Sequence, residues 1–166
     1  MYLDKKNEVP PYRLTGPRSI LKYIIILSTC LASACIVVAH RAFGNNYTWE
    51  YQTRYMLFLG TSLFGFLSSI IILVVFLTEL DKVLCTRRVM EMINIGLSFV
   101  LALLCAVSSA LLIYYVNKLW KNDLYNTSKD YWKWYTDHML VAMACAFLNS
   151  ILYILDMVLH AYVLLL

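Results

Sequence analysis

One long apolar stretch decides the fold class of this chain: residues 92–116 read MINIGLSFVLALLCAVSSALLIYYV. No Lys, Arg, Asp or Glu interrupts them. A helix rises about 1.5 Å per residue, so roughly 20 residues cross the hydrocarbon core of a bilayer. Because backbone polar groups in lipid must be paired within their own segment, such a run predicts a transmembrane helix.

Three further apolar runs of similar length flank this one. They are Tyr23 to Ala39 (or Ile20 to Ala39 if Lys22 snorkels), Met56 to Leu77, and Met139 to the C-terminus. The chain of 166 residues is 61% hydrophobic and 14% charged, against about 45–50% and about 25% in a soluble domain. We therefore predict an all-α fold, an integral membrane antiparallel four-helix bundle.

The predicted bundle forms a single domain over residues 1–166. Its helices are expected at about 20–40, 55–78, 90–116 and 138–163, after a cytoplasmic tail of residues 1–19. The segment Ala32-Ser33-Ala34, which follows basic and apolar residues, is also typical of a cleavable signal peptide. Because the apolar run continues to Ala39, an uncleaved anchor is favoured; cleavage would leave three helices with the same sidedness.

Basic residues favour one orientation of the four helices. The face that carries both termini has eight: Lys5, Lys6, Arg13, Arg18, Lys22, Lys82, Arg87 and Arg88. The opposite face has six: Arg41, Arg54, Lys118, Lys121, Lys129 and Lys133. The positive-inside rule then places both termini in the cytoplasm. The N-glycosylation sequons at Asn46 and Asn126 both fall in the outer loops, and they predict a glycoprotein. We expect it at the plasma membrane, with an internal membrane of the same lumenal sidedness as the alternative.

Aromatic residues are concentrated in the same outer loops, which contain all four Trp and also Tyr51. One interpretation is an interfacial belt, in which amphipathic rings lie among lipid headgroups. The other is a recognition surface, because Trp and Tyr are enriched in binding hot spots. The candidate interaction loop consists of Trp49, Tyr131, Trp132, Trp134 and Tyr135.

The five cysteines argue against several families of four-helix membrane proteins. Four lie in predicted helices, and Cys85 lies in the inner loop, so the outer loops have no disulfide framework. Claudins, tetraspanins and connexins have cysteines in their outer loops. Cys85, beside Arg87 and Arg88, is a candidate for palmitoylation, with an inert thiol as the alternative.

Small residues spaced four apart predict how the helices pack, because close approach through small side chains drives association in lipid. The longest such stripe, from Ser98 to Ala110, is in the third helix, which we therefore expect at the centre of the bundle. Replacing Ala106 with Leu is expected to disturb folding more than changing Leu101, which this pattern places toward lipid.

Asp156 and His160 form an intramembrane polar pair on one face of the fourth helix. Asp156 lies about 26 Å along this helix from Met139, toward the inner boundary. One interpretation is an ion or proton site. The favoured one is a polar clamp in which Asp156 pairs with Lys82 or a helix end. No catalytic, cofactor or metal motif is present, so we expect neither an enzyme nor a cofactor.

The chain resembles the MARVEL-type tetraspan proteins, with a short tail, four helices, a tiny inner loop and two modest outer loops. Three stretches carry a finer resemblance: Leu152 to Asp156, His40 to Gly44, and Gly65-Phe66. In these the chain is most similar to the snakeskin-type proteins of insect smooth septate junctions. The first outer loop departs from that group, because it is shorter and lacks a run of glycines. The resemblance implies membrane apposition or organisation of cell junctions, and it supplies no catalytic residues.

These observations predict a noncatalytic four-pass membrane protein that organises membrane or cell-junction complexes. The alternatives are a small transport or channel subunit that uses Asp156 and His160, and an accessory subunit of a membrane complex. The expected partners are the lipid bilayer, other membrane proteins contacted through helix faces and outer loops, and a second copy of the chain. Nucleic acid is not expected, because the basic residues adjoin the apolar runs.

Overall fold

A computed structural model describes residues 15–42, 49–78, 87–121 and 129–165, which form four long α-helices. They are α1 (Pro17–Ala42), α2 (Trp49–Leu77), α3 (Arg87–Trp120) and α4 (Lys129–Leu165). Each helix contains a stretch long and apolar enough to span a bilayer. The predicted fold class, a membrane bundle of four helices, is confirmed.

The helices are longer than the apolar runs from which they are predicted. With 26 residues in α1 and 37 in α4, they extend about 39 to 56 Å, beyond the roughly 30 Å of the hydrocarbon core. α2 begins at Trp49 and α4 at Lys129, upstream of the expected starts near 55 and 138. Neither added segment contains Gly or Pro, so the helix continues through polar residues that hydropathy alone excludes.

Hydrogen bonds between helices show that neighbouring helices are antiparallel. Between α3 and α4, for example, Ser98 bonds to Asp156 and the Ala102 carbonyl accepts from Ser150. Residue numbers therefore rise along α3 as they fall along α4. α1 lies beside α2 and α4, and α3 lies beside the same two helices. We call the end where α1 begins and α4 ends the proximal end, and the other end the distal end.

α4, and not α3, has the closest packing in the bundle. Its contacts with α3 and with α1 are the two most extensive between helices of the bundle, so the expectation of a central third helix is wrong. The interior combines small and polar side chains with large apolar ones, while Leu, Ile, Val and Phe side chains cover much of the exterior. This distribution is expected where the surrounding solvent is lipid.

The small-residue stripes are buried in α2 (Thr61, Gly65 and Ser69) and in α4 (Ala142, Ala146 and Ser150) but only partly in α3. Ser98 and Ala102 are buried, whereas Ala106 is half-buried and Ala110 is exposed. Residues four apart advance about 400°, so a strict four-residue stripe drifts by about 40° at each step. The buried face instead passes through Leu101, which is 1% exposed. The expectation that Leu101 faces lipid is therefore wrong.

α2 approaches α4 closely at a glycine. A Cβ atom added to Gly65 would lie 2.6 Å from the hydroxyl oxygen of Tyr153. That hydroxyl is also 3.3 Å from the Ser69 hydroxyl, one turn further along α2. The ring of Tyr153 is completely buried, so the absence of a side chain at residue 65 gives the ring its space.

Candidate functional site

Five ionisable side chains from three helices meet at the proximal end of the bundle. α1 contributes Arg18 and Lys22, α3 contributes Glu91, and α4 contributes Asp156 and His160. We call these five residues the proximal cluster. The sequence brings them together because each lies in or next to its apolar run, near the end of that run that is proximal in the bundle.

Lys22 and Asp156 form the most deeply buried ion pair of the cluster. The Lys22 Nζ lies 2.7 Å from Asp156 Oδ2, and the two side chains are 4% and 0% exposed. Ser98 donates a second hydrogen bond, of 2.6 Å, to the same carboxylate oxygen. Lys22 therefore points into the bundle and does not snorkel toward the headgroups.

His160 lies between the carboxylates of two helices. Its Nδ1 contacts Oε2 of Glu91 on α3, and its Nε2 lies 3.6 Å from Oδ1 of Asp156 on its own helix. Arg18 completes the cluster, with its Nη1 2.9 Å from the other oxygen of Glu91. Ion pairs thus connect α1 to α3 and α1 to α4, and His160 connects α4 to α3.

The charges within the cluster compensate one another. Two cations, Arg18 and Lys22, face two carboxylates, with one imidazole between the carboxylates. A charged group in a membrane interior is costly unless it is paired, and each acid here has a cationic partner. The arrangement can hold α1, α3 and α4 in one register at this end.

The cluster differs from its sequence-based prediction in the partners of Asp156. Within the described residues, Asp156 bonds to Lys22 and Ser98, neither of which was predicted as its partner. Lys82 lies outside the described residues, so its pairing with Asp156 stays a prediction. Asn149, two turns before Asp156 on α4, is also buried.

Sequence reasoning missed three members of the cluster. Glu91 immediately precedes the third apolar run and therefore does not stand out as an intramembrane charge, while the positive-inside rule places Arg18 and Lys22 at the cytoplasmic face. A signal was present: Arg18 and Lys22 are four residues apart, so they share a helix face. Glu91 lies at the same depth in the antiparallel third helix.

A second cluster, of aromatic rings, lies in the distal half of the bundle. The imidazole of His40 stacks on Tyr55 with ring centroids 3.7 Å apart and an interplanar angle of 8°. Tyr51 contacts Tyr115 with centroids 5.0 Å apart. Tyr51 is completely buried. It lies in the first turn of α2, on the face directed into the bundle, and not in the outer loop where the sequence analysis placed it.

Arg54 joins α2 to α3 beside these rings. It donates a 3.0 Å hydrogen bond to the Leu111 carbonyl and lies 2.6 Å from Glu50 Oε1. Its guanidinium also lies 5.0 Å from the centre of the exposed Tyr114 ring. Lys118 of α3 lies 3.2 Å from the second oxygen of Glu50. This polar contact at the distal rim is far more exposed to solvent than the proximal cluster.

The candidate interaction loop is helical wherever the structure describes it. Trp49 is the first residue of α2 and is 82% exposed, and Trp134 in the early turns of α4 is also exposed. Tyr135 is buried and therefore cannot contribute to an exposed surface. The backbone of Tyr131 and Trp132 is helical, but the structure does not describe their side chains.

Several predicted modification sites lie outside the described residues, namely Asn46, Asn126 and Cys85. The cysteines within the described helices are free thiols: Cys30, Cys35, Cys105 and Cys145. Over the described ranges, no group of three or more His, Cys, Asp or Glu side chains has the arrangement of a metal site.

Comparison with known proteins gives one match. The model of the MARVEL family, described as a membrane-associating domain, matches residues 13–159. This range includes four of the five residues of the proximal cluster. The fifth, His160, immediately follows the matched range. Neither a curated protein nor a solved structure matches, so the finer similarity to snakeskin-type proteins has no support from these comparisons.

Proposed function

Because this chain belongs to the MARVEL family of membrane-associating domains, we propose that it is a noncatalytic four-pass protein that organises membrane complexes at cell junctions. It acts by lateral packing with other membrane proteins and by contacts at its distal rim. The observation that carries the noncatalytic, organising role is the proximal cluster, in which buried charges of three helices pair with one another.

The pairing of Asp156 favours this proposal over a transport site. A transport site binds and releases an ion or proton, so its acidic group has to be accessible. Here Lys22 and Ser98 both donate to one oxygen of a completely buried carboxylate. The cluster therefore suits a clamp that holds three helices together.

The proposed partner surface lies at the distal rim. Trp49 and Trp134 are exposed there, together with Tyr114, and aromatic side chains of this kind suit both headgroups and protein hot spots. We place this rim outside the cell and both termini in the cytoplasm, at the plasma membrane. The basic residues of the terminal face and the sequons at Asn46 and Asn126 support that orientation.

The experiment uses the full chain, fluorescently tagged, in cells that form cell–cell contacts. We expect enrichment at contacts for the wild type and loss of at least half of it when Trp49 and Trp134 are both replaced by Ala. Tyr162→Ala is the matched control, because Tyr162 is an exposed aromatic residue near the proximal end of α4. Equal enrichment of all three proteins, or no enrichment of the wild type, would contradict the junction role.

A glycosidase assay tests the orientation independently. A mobility shift of the wild type that disappears in Asn126→Gln places the distal rim outside. If a stronger sequon introduced into the same loop also remains unmodified in an inserted chain, the orientation is inverted and the junction proposal is wrong.

A further inference from the structure

The imidazole of His160 faces two hydrogen-bond acceptors at once. Its Nδ1 contacts a Glu91 oxygen, and its Nε2 is 3.6 Å from Asp156 Oδ1. Both Nε2 and this Asp156 oxygen are buried, and neither has a hydrogen-bond partner within the described part of the chain. The two atoms therefore face each other, and the chemistry of this contact depends on whether a proton lies between them.

The number of protons on the ring determines whether these contacts are favourable. A neutral imidazole has one N–H and one lone pair, while an ionised carboxylate only accepts hydrogen bonds. If Nδ1 donates to Glu91, a neutral ring directs the lone pair of Nε2 at an Asp156 oxygen. Opposed lone pairs in a buried site are costly. An imidazolium instead has an N–H on each nitrogen, so it donates to Glu91 and makes a favourable electrostatic contact with Asp156 at 3.6 Å.

We propose that His160 carries a proton on each ring nitrogen and that this imidazolium is a proton-dependent latch between α3 and α4. The proposal goes beyond the organising function and holds whichever partners the protein has. It makes the proximal end of the bundle responsive to proton concentration, although the cluster is enclosed by helices.

The charges around the ring are compatible with this assignment. α1 presents Arg18 and Lys22, α3 presents Glu91, and α4 presents Asp156. With an imidazolium the cluster has three cations and two carboxylates. Arg18 is the least buried of its charged members, so water and headgroups at the rim can screen the excess charge.

The proposed latch predicts the direction in which stability changes with pH. Raising the pH removes a proton from the ring and leaves the Asp156 contact, which lies within α4, without a donor. It also weakens the attachment of α4 to α3, because a neutral ring no longer adds its charge to the hydrogen bond with the Glu91 carboxylate. Strongly acidic conditions protonate the two carboxylates and remove the acceptors. Stability is therefore highest between these limits, and the loss on the alkaline side belongs to His160.

The test measures thermal unfolding of the full chain in detergent micelles between about pH 5 and 9, the range around imidazole titration. We expect the wild-type Tm to fall by at least about 3 °C on the alkaline side. His160→Gln is expected to remove this fall. His138→Gln is expected to retain it, because His138, elsewhere on α4, bonds to the Trp134 carbonyl. A flat wild-type profile, or a fall that persists in His160→Gln, would overturn the latch.

A second measurement applies if the His160→Gln protein does not fold. Solid-state NMR of the wild-type chain with ¹⁵N-labelled histidine in bilayers distinguishes an imidazolium from the neutral ring. Spectra of His40→Gln and His138→Gln assign the remaining signal to His160. A neutral His160 in the folded chain at pH 7 overturns the proposal, and two protonated ring nitrogens support it.

Discussion

Replacing Lys22 with Met removes the charge from the most buried ion pair while keeping an unbranched side chain. The separation of 2.7 Å between Lys22 Nζ and Asp156 Oδ2 gives an attraction of about 6 kcal/mol at an effective dielectric constant of about 20. The cost of removing both charges from water offsets part of this. Breaking such a pair costs about 3–5 kcal/mol, because the remaining charge is buried without compensation. We expect Lys22→Met to lose about 3 kcal/mol of unfolding free energy.

The assay is reversible unfolding of the purified chain in mixed micelles, followed by helical circular dichroism. Lys118→Met is the matched control, because Lys118 is 58% exposed in its pair with Glu50 and exposed pairs contribute about 0.2–1 kcal/mol. Combining Lys22→Met with Asp156→Asn removes the orphaned charge and is expected to recover part of the loss. If Lys22→Met costs no more than Lys118→Met, the buried pair does not clamp the bundle.

Two further predictions concern packing, measured by the same unfolding assay. Gly65→Ala brings a methyl group against the Tyr153 hydroxyl and is expected to cost about 1–3 kcal/mol; Gly60→Ala, which meets nothing within 4 Å, is expected to be neutral or to gain up to about 1 kcal/mol. Equal effects at the two glycines would contradict the close approach of α2 to α4. Leu101→Ala is expected to cost about 2 kcal/mol or more and Leu103→Ala under about 0.5 kcal/mol, because the side chains are 1% and 52% exposed. The reverse order would show that α3 is rotated in the membrane.

The fold class is predictable from the sequence because length and apolarity are sufficient to identify a membrane span. Residues 92–116 require a helix wherever their neighbours lie, since lipid provides no partner for backbone groups. The rotation of that helix about its own axis is harder to predict from the sequence. Apolar side chains cover both the lipid face and much of the interior, so hydropathy does not separate Leu101 from Leu103, and a four-residue stripe drifts away from the buried face.

The proximal cluster was predictable only in part. Asp156 and His160 are conspicuous because they interrupt an apolar run. Lys22 and Glu91 lie at the edges of their runs, where a charged side chain usually reaches the headgroups. Whether such a side chain points outward or inward depends on a partner in another helix. Lys22 and Asp156 are 134 residues apart in the chain, so the local sequence around Lys22 does not reveal its partner.

The positions of the two clusters explain how this bundle combines a fixed interior with an apolar surface. In lipid, apolar side chains gain little by leaving the tails for another helix, so packing and polar contacts determine which helices associate. The proximal cluster joins α1, α3 and α4, while Arg54 and the stacked rings join α2 to its neighbours at the distal end. Because the most deeply buried charges are directed inward, the mid-membrane surface consists largely of apolar side chains such as Leu67 and Leu103. Such a surface suits lateral packing with partners, and specificity then has to come from the rims, where exposed Trp49 and Trp134 lie.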